Sequence, residues 1–205
     1  MLYPSLVNPF LPKRIHSFIQ NGRLWIIKMS TKIITSPEMS EELPETTKFQ
    51  NSWVLWYFDP RNKDWALQNY KMIADITTPQ RLWTIIAGIP KEAIECGYFF
   101  FMRKGFRPIW EVPENEQGGS WSKKVPTKDI YDIAIDLMVH CVADAVVPTR
   151  SETLVGFSTS PKGEFNIVKI WNTTIVASSV KLLNAAITHF PITPDVVYTA
   201  HKSRR

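Results

Sequence analysis

Three observations predict an α+β domain with an antiparallel sheet covered by helices on one face. Strand-like runs arrive mostly as hairpins, amphipathic helical stripes interleave with them, and 205 residues at 44% hydrophobic content suffice for one main core. Residues 1–47 read as a flexible tail and linker. The first 37 carry Lys13, Arg14, Arg23, Lys28 and Lys32 with no acid, but Pro4, Pro9 and Pro12 interrupt any targeting helix there. Met29 is a second possible start. Thr31 to Thr47 is polar and acidic, with Glu38, Glu41, Glu42 and Glu45. The folded domain is expected over 48–205.

Within it, Asn51 to Phe58 (NSWVLWYF) reads as a strand ending in the turn Asp59-Pro60-Arg61-Asn62. Thr78 caps a helix with Pro79 at its first position, and Leu82, Ile85, Ile86 and Ile89 form its apolar stripe. Gly97 to Met102 is a buried strand, Lys104-Gly105 a turn, and Arg107 to Val112 a further strand. A second helix is expected over Lys128 to Ala145, with Asp129, Asp132 and Asp136 on a solvated face. Thr153 to Ser158 and Phe165 to Trp171 form a hairpin around Pro161-Lys162-Gly163. Ser178 to His189 reads as a third helix, with Val180, Leu183 and Ile187 in step, and Val196 to Tyr198 as a last short strand.

Composition narrows the function. A charged share of 21% and a net charge of +5 describe a globular protein that favours an anionic partner. From Lys48 onward 19 basic residues face 15 acidic ones, so the excess belongs to the domain. Cys96 and Cys141 lack metal-ligand or disulfide-framework spacing, which suits reduced thiols in the cytoplasm or nucleus. No apolar run is long enough to span a membrane. No P-loop, GxGxxG, HExxH or GxSxG occurs, and the four histidines are scattered. The reading is a monomeric binding protein without cofactor, metal or catalytic residues.

Eight tryptophans point to what is bound. Trp53, Trp56 and Trp121 suit a core. Trp65 instead follows the polar turn Arg61-Asn62-Lys63-Asp64, and Trp110 precedes Glu111 before a flexible run. Trp171 closes a strand whose same-facing neighbour is Lys169. Tryptophans on loops beside an acid and several bases suit stacking of a nucleobase with adjacent phosphates.

NSWVLWYF at 51–58, KDWALQNY at 63–70, TPQRLWTII at 78–86, RKGFRPIWE at 103–111, GGSW at 118–121, SETLVG at 151–156 and the KG-to-IW stretch at 162–171 occur in an order and spacing that resemble one family. It is eukaryotic translation initiation factor 4E, which binds the messenger RNA cap. The resemblance runs from Phe49 to His201 and is weakest over the second helix. It implies a curved antiparallel sheet with three helices on the convex face and the cap site on the concave side. Trp65 and Trp110 would sandwich the 7-methylguanosine base, Glu111 would recognise guanine, and Trp171 would contact the methyl group. Lys162 aligns with the family's phosphate-binding arginine, and Lys169 could compensate for Ile167 and Ser120, which stand where the family has basic residues. Lys123, Lys124, Lys202, Arg204 and Arg205 are further candidates for phosphates.

Trp83 stands about 100° from Leu82 around its helix, off the core stripe, which predicts an exposed anchor for a partner helix. The family docks a scaffold initiation factor or repressors there through a helical motif, and Pro79 and Phe49 would extend the patch. On the second helix, Leu137 and His140 stand where the family has an acid and a leucine. The leading expectation is cap binding in translation initiation. The alternatives are a divergent paralogue with weak cap binding that acts as repressor or scaffold, and a general single-strand RNA binder.

Overall fold

The computed structural model describes residues 48–202. The expected tail and linker, with Arg204 and Arg205, lie outside the described residues. Seven strands form one antiparallel sheet in the order β2-β1-β3-β5-β6-β4-β7. In chain order the elements are β1 (Trp53–Phe58), β2 (Tyr70–Ile76), helices α1 (Pro79–Gly88) and α2 (Lys91–Cys96), and β3 (Tyr98–Arg103). There follow the short α3 (Pro113–Glu116), β4 (Gly119–Pro126), α4 (Ile130–Val142), β5 (Leu154–Pro161), β6 (Phe165–Asn172) and β7 (Val197–Ala200).

The pleat sorts side chains by parity. Trp53 and Leu55 of β1, Phe99 and Phe101 of β3, Phe157 of β5 and Ile170 of β6 are buried on the helix-covered convex side. Trp53 stacks on Phe101 there, with ring centroids 5.2 Å apart. The other parity makes the concave face. Phe58, Tyr70, Phe100, Met102, Val155 and Trp171 form a second buried cluster there, with Trp56 and Tyr98 packed against it.

Helix α1 begins as its sequence dictates. The Thr78 hydroxyl accepts from the Arg81 N–H (3.2 Å), and Pro79 fills the first turn. Leu82, Ile85 and Ile86 are buried beneath it. The Gly118-Gly119 pair is required by close approach: a Cβ on Gly118 would stand 1.9 Å from the Asn172 carbonyl oxygen, and one on Gly119 2.6 Å from that of Thr199. These glycines let β4 lie between β6 and β7.

Two expected elements are corrected. Residues Arg107 to Val112 form a loop, because Pro108 lacks an N–H and the Arg107 and Ile109 carbonyls are taken by the Asn115 side chain. Residues Ser178 to His189 hold only a 3₁₀ turn at Val180–Leu182. The cause is Asn184, whose N–H and side chain donate to the Val146 and Ala145 carbonyls and whose side-chain oxygen accepts from the Ala186 N–H. Those bonds replace helical ones, yet Leu183 and Ile187 are still buried. The third back helix is instead α2. The second helix is shorter than expected, and its Asp136 accepts from the His189 N–H (2.9 Å), tying the irregular segment to α4. Strands β2 and β4 are additions to the expected set.

Candidate functional site

Trp65 is positioned by a run of side-chain turns. The Asn62 side chain accepts from the Asp64 N–H (2.9 Å), the Asp64 carboxylate accepts from the Ala66 N–H (3.0 Å), and Asn69 donates to the same carboxylate (2.8 Å). So fixed, the Trp65 ring stacks on Phe58 (centroids 4.2 Å apart, 7° between planes) and meets Tyr98 edge-on at 5.1 Å. One indole face is thus covered, and its 47% exposure belongs to the other face and rim.

Trp110 and Glu111 sit in the turn between β3 and α3, and both are exposed. Their loop is clipped twice. Arg107 grips Glu114 through two hydrogen bonds (2.5 and 2.8 Å), which hold the Glu114 carboxyl down at about pKa 2. The fully buried Asn115 amide donates to the Arg107 and Ile109 carbonyls, both at 2.7 Å, on the approach to Trp110. The Asn115 backbone carbonyl then accepts from the His201 ring (2.9 Å), joining the loop to the end of β7.

These walls enclose a cavity of about 380 Å³ that also gathers Glu111, Trp171, Lys162 and Lys169. Trp171 is buried as its floor and donates its indole N–H to the Ser158 hydroxyl (3.0 Å). Lys162 stands in the β5–β6 turn with its ammonium 5.8 Å from the Tyr98 ring. Lys169 rises from β6 between Ser122 and Ser158 of the neighbouring strands. Burial and the nearby Lys162 charge lower its pKa, so its ammonium is short of a counter-anion. Burial, aided by Glu111, pushes the Tyr70 phenol up to about 12. The cavity lining therefore combines a carboxylate, two ammonium groups and several aromatic side chains.

All six residues expected at a base-and-phosphate site line this one cavity. Other expected phosphate contacts do not. Lys123 points to the back, donating to the Pro191 carbonyl and the Thr193 hydroxyl. Lys124 lies 3.7 Å over the Phe165 ring, and Lys202 pairs with Glu116. The sequence reading missed Tyr70, Tyr98, Ser158 and Ser160 of the lining, and Asn115 and His201 behind it. The run Tyr98 to Met102 is apolar throughout, so it marks a strand buried on both faces and does not single out Tyr98 and Phe100 as the cavity side. Nothing local marks Asn115, whose partners are set by the loop's path.

On the opposite side, Trp83 of α1 is 56% exposed. Pro79 opens the same helix, and Phe49 is tied beside it by its N–H to the Thr77 carbonyl (2.9 Å). Leu137 is fully buried and so takes no part in a docking face, while His140 is held at Asp136. The outward residues of α4 include Ile135 and Val139.

A sequence model described as "Eukaryotic initiation factor 4E" matches residues 48–205. The chain belongs to this family. A relative, eukaryotic translation initiation factor 4E1 of Drosophila melanogaster, is 29% identical over 128 residues, 59% of this chain and 48% of that protein. Factor 4E-2 of Schizosaccharomyces pombe is 26% identical over 62% of this chain and 54% of that protein. The aligned part thus spans about half the length of these curated relatives. Among solved structures, Caenorhabditis elegans eIF4E-3 in complex with the 4E-binding protein Mextli and cap analog superposes with a TM-score of 0.65 at 22% identity, covering 76% of this chain and 94% of that one. Ascaris suum eIF4E-3 with m7G cap gives a TM-score of 0.65 at 20% identity, covering 78% and 93%. The family fold, a curved antiparallel sheet backed by helices, is therefore the fold of this chain.

Proposed function

We propose that this chain binds the 7-methylguanosine cap of messenger RNA in the cytoplasm and recruits a helical segment of a scaffold factor or repressor during translation initiation. The observation that carries this reading is one cavity lined by two exposed tryptophan rings, a carboxylate and two ammonium groups. The family relationship and the cap and cap analog in the neighbouring structures support it.

The chemistry follows from the side chains. N7-methylation makes guanine cationic, and a cation between two desolvated indole faces gains about 2 kcal/mol or more beyond ordinary stacking. Phe58 backs Trp65, so the ring's open face is offered to the base. Glu111 accepts from the N1–H and N2–H₂ edge of guanine as a bidentate, charge-assisted pair, which adenine cannot supply. Lys169 and Lys162 take the phosphates, and an arriving anion relieves the electrostatic cost at Lys169. Trp171 contacts the methyl group from the floor. Across the sheet, Trp83 with Pro79 and Phe49 receives the partner helix, as Mextli partners the C. elegans neighbour.

Cap-analogue resin tests this directly. Retention, with elution by 7-methylguanosine triphosphate and not by guanosine triphosphate, is expected. Ile167 and Ser120 on β6 and β4 leave the phosphate end with two lysines, which favours a weak-binding repressor or scaffold as the second reading. Failure of the resin to retain a folded protein that still captures the helical partner would establish that reading instead.

A further inference from the structure

Ser160 stands near the end of β5, half-buried, and lines the same cavity as Lys162 and Lys169. Opposite it on β6 is Ile167, so Lys169, two residues further along β6, is its diagonal neighbour on that face. Such neighbours lie about 7–8 Å apart, within reach of a long side chain. Lys162 follows Ser160 by two residues, in the turn. Among the described residues nothing hydrogen-bonds the Ser160 hydroxyl, whereas the Ser158 hydroxyl accepts the Trp171 N–H.

The chain around Ser160 is also open to another protein. Pairing of β3 with β5 stops at Thr159, so Ser160 and Pro161 pair with β6 alone. The turn from Lys162 to Glu164 is exposed, and Gly163 takes a φ of +84° there. An extended serine with one edge free and a proline directly after it is the acceptor form used by proline-directed protein kinases. Two other described hydroxyls precede a proline, and both are engaged. Thr78 caps α1, and Thr193 is bound to Lys123 and Asp195.

From this geometry we infer that Ser160 is a phosphorylation site whose phosphate closes the cavity to phosphorylated ligands. The Ser160 Oγ attacks the γ-phosphorus of ATP held by a proline-directed serine/threonine kinase. An Oγ–P bond forms, the bond to the β–γ bridging oxygen breaks, ADP leaves, and the hydroxyl proton passes to the kinase's base. The new group carries about −1.5 to −2 charges and three acceptor oxygens. Lys169, short of a counter-anion, and Lys162 are the cations it meets in the cavity. A tethered phosphate pairs with them, and its charge repels an arriving phosphate chain. This rests on the cap-binding reading and adds to it a covalent, reversible means of release.

The test starts from the folded chain. Incubation with ATP and a cyclin-dependent kinase should place a phosphate on Ser160, located by mass spectrometry, and Pro161→Ala should prevent it. The phosphorylated protein should bind 7-methylguanosine triphosphate about tenfold or more weaker than the unmodified protein, read by tryptophan quenching. Binding of the 7-methylguanosine nucleoside should change by less than about twofold. Phosphatase treatment should restore the affinity for the triphosphate. A chain with phosphoserine encoded in place of Ser160 repeats the comparison without a kinase. Failure of the kinase to modify Ser160 in the folded chain overturns the acceptor assignment. A phosphorylated Ser160 that leaves triphosphate affinity unchanged, or that weakens triphosphate and nucleoside alike, overturns the closure. In both cases cap binding by the unmodified protein stands. If the unmodified protein itself fails to bind the triphosphate, the cap reading falls, and the switch with it.

Discussion

Replacing Asn115 by alanine should loosen the proposed cap site without removing a residue expected to touch the ligand. The amide makes two hydrogen bonds of 2.7 Å to the carbonyls of Arg107 and Ile109. At about 1 kcal/mol net per bond, their loss costs about 2 kcal/mol of stability. For a domain of this size that lowers the melting temperature by about 4–8 °C. Cap affinity should fall fivefold or more, since the loop no longer fixes Trp110 and Glu111. Asn115→Asp separates hydrogen bonding from shape. Aspartate has nearly the same volume but aims an acceptor at two acceptors in a fully buried position, so it should be worse than alanine in both assays. Thermal melting and cap titration of the two variants decide the matter. An aspartate variant that melts and binds like wild type would refute the role assigned to the amide.

Trp65→Ala and Trp110→Ala should each cost about 1–3 kcal/mol of cap affinity, read by titration with a cap analogue, and unchanged affinity in both would eliminate the sandwich. Lys169 has a lowered pKa, so the affinity advantage of 7-methylguanosine triphosphate over the bare nucleoside should be full while the ammonium is protonated. It should decline as pH rises, starting below the ordinary lysine value of about 10.4, and the component due to Lys169 should be absent from Lys169→Met. The Glu114 pKa is lowered on folding, so the Arg107 clip stabilises fully above the ordinary carboxyl value of about 4.3. That contribution should be lost as pH falls from there towards 2, seen as a change in tryptophan emission that Glu114→Gln abolishes. On the back face, Trp83→Ala should cost little stability next to the about 2–5 kcal/mol of Ile86→Ala, yet weaken a helical partner peptide by about 2 kcal/mol or more, measured by melting and peptide titration.

The sequence announced those features that follow from local rules. The Thr78-Pro79 start and the Leu82, Ile85, Ile86 stripe need only neighbours three or four residues away, and both stand as read. Trp65 and Trp110 drew notice because large apolar rings beside polar turns have no local reason to be there. What stayed hidden depends on distant partners. The stripe Val180, Leu183, Ile187 imitates a helix, but Asn184 spends its bonds on the 145–146 backbone, nearly forty residues earlier. Residues 107–112 look like a strand until Asn115 claims their carbonyls. Strand β4 escaped notice because Ser120, Ser122 and Lys124 alternate with only two buried apolar residues, Trp121 and Val125. Lys162 and Lys169 are not among the hidden features, since the family resemblance assigns both to the phosphates; strand register is what brings them to one cavity.

The ring stack of Phe58 on Trp65 gives the two walls of the site unequal rigidity. Trp65 is continuous with a block of aromatic side chains seated on β1 and β3, so it is already where a ligand needs it. Trp110 depends on a handful of polar bonds in a loop. On the proposed reading a base arriving from solvent would meet a preformed wall at Trp65, and the ordering entropy of binding would fall on the Trp110 side. If the chain binds the cap as proposed, changes in the Trp110 loop would tune residence time on it without remodelling the hydrophobic interior.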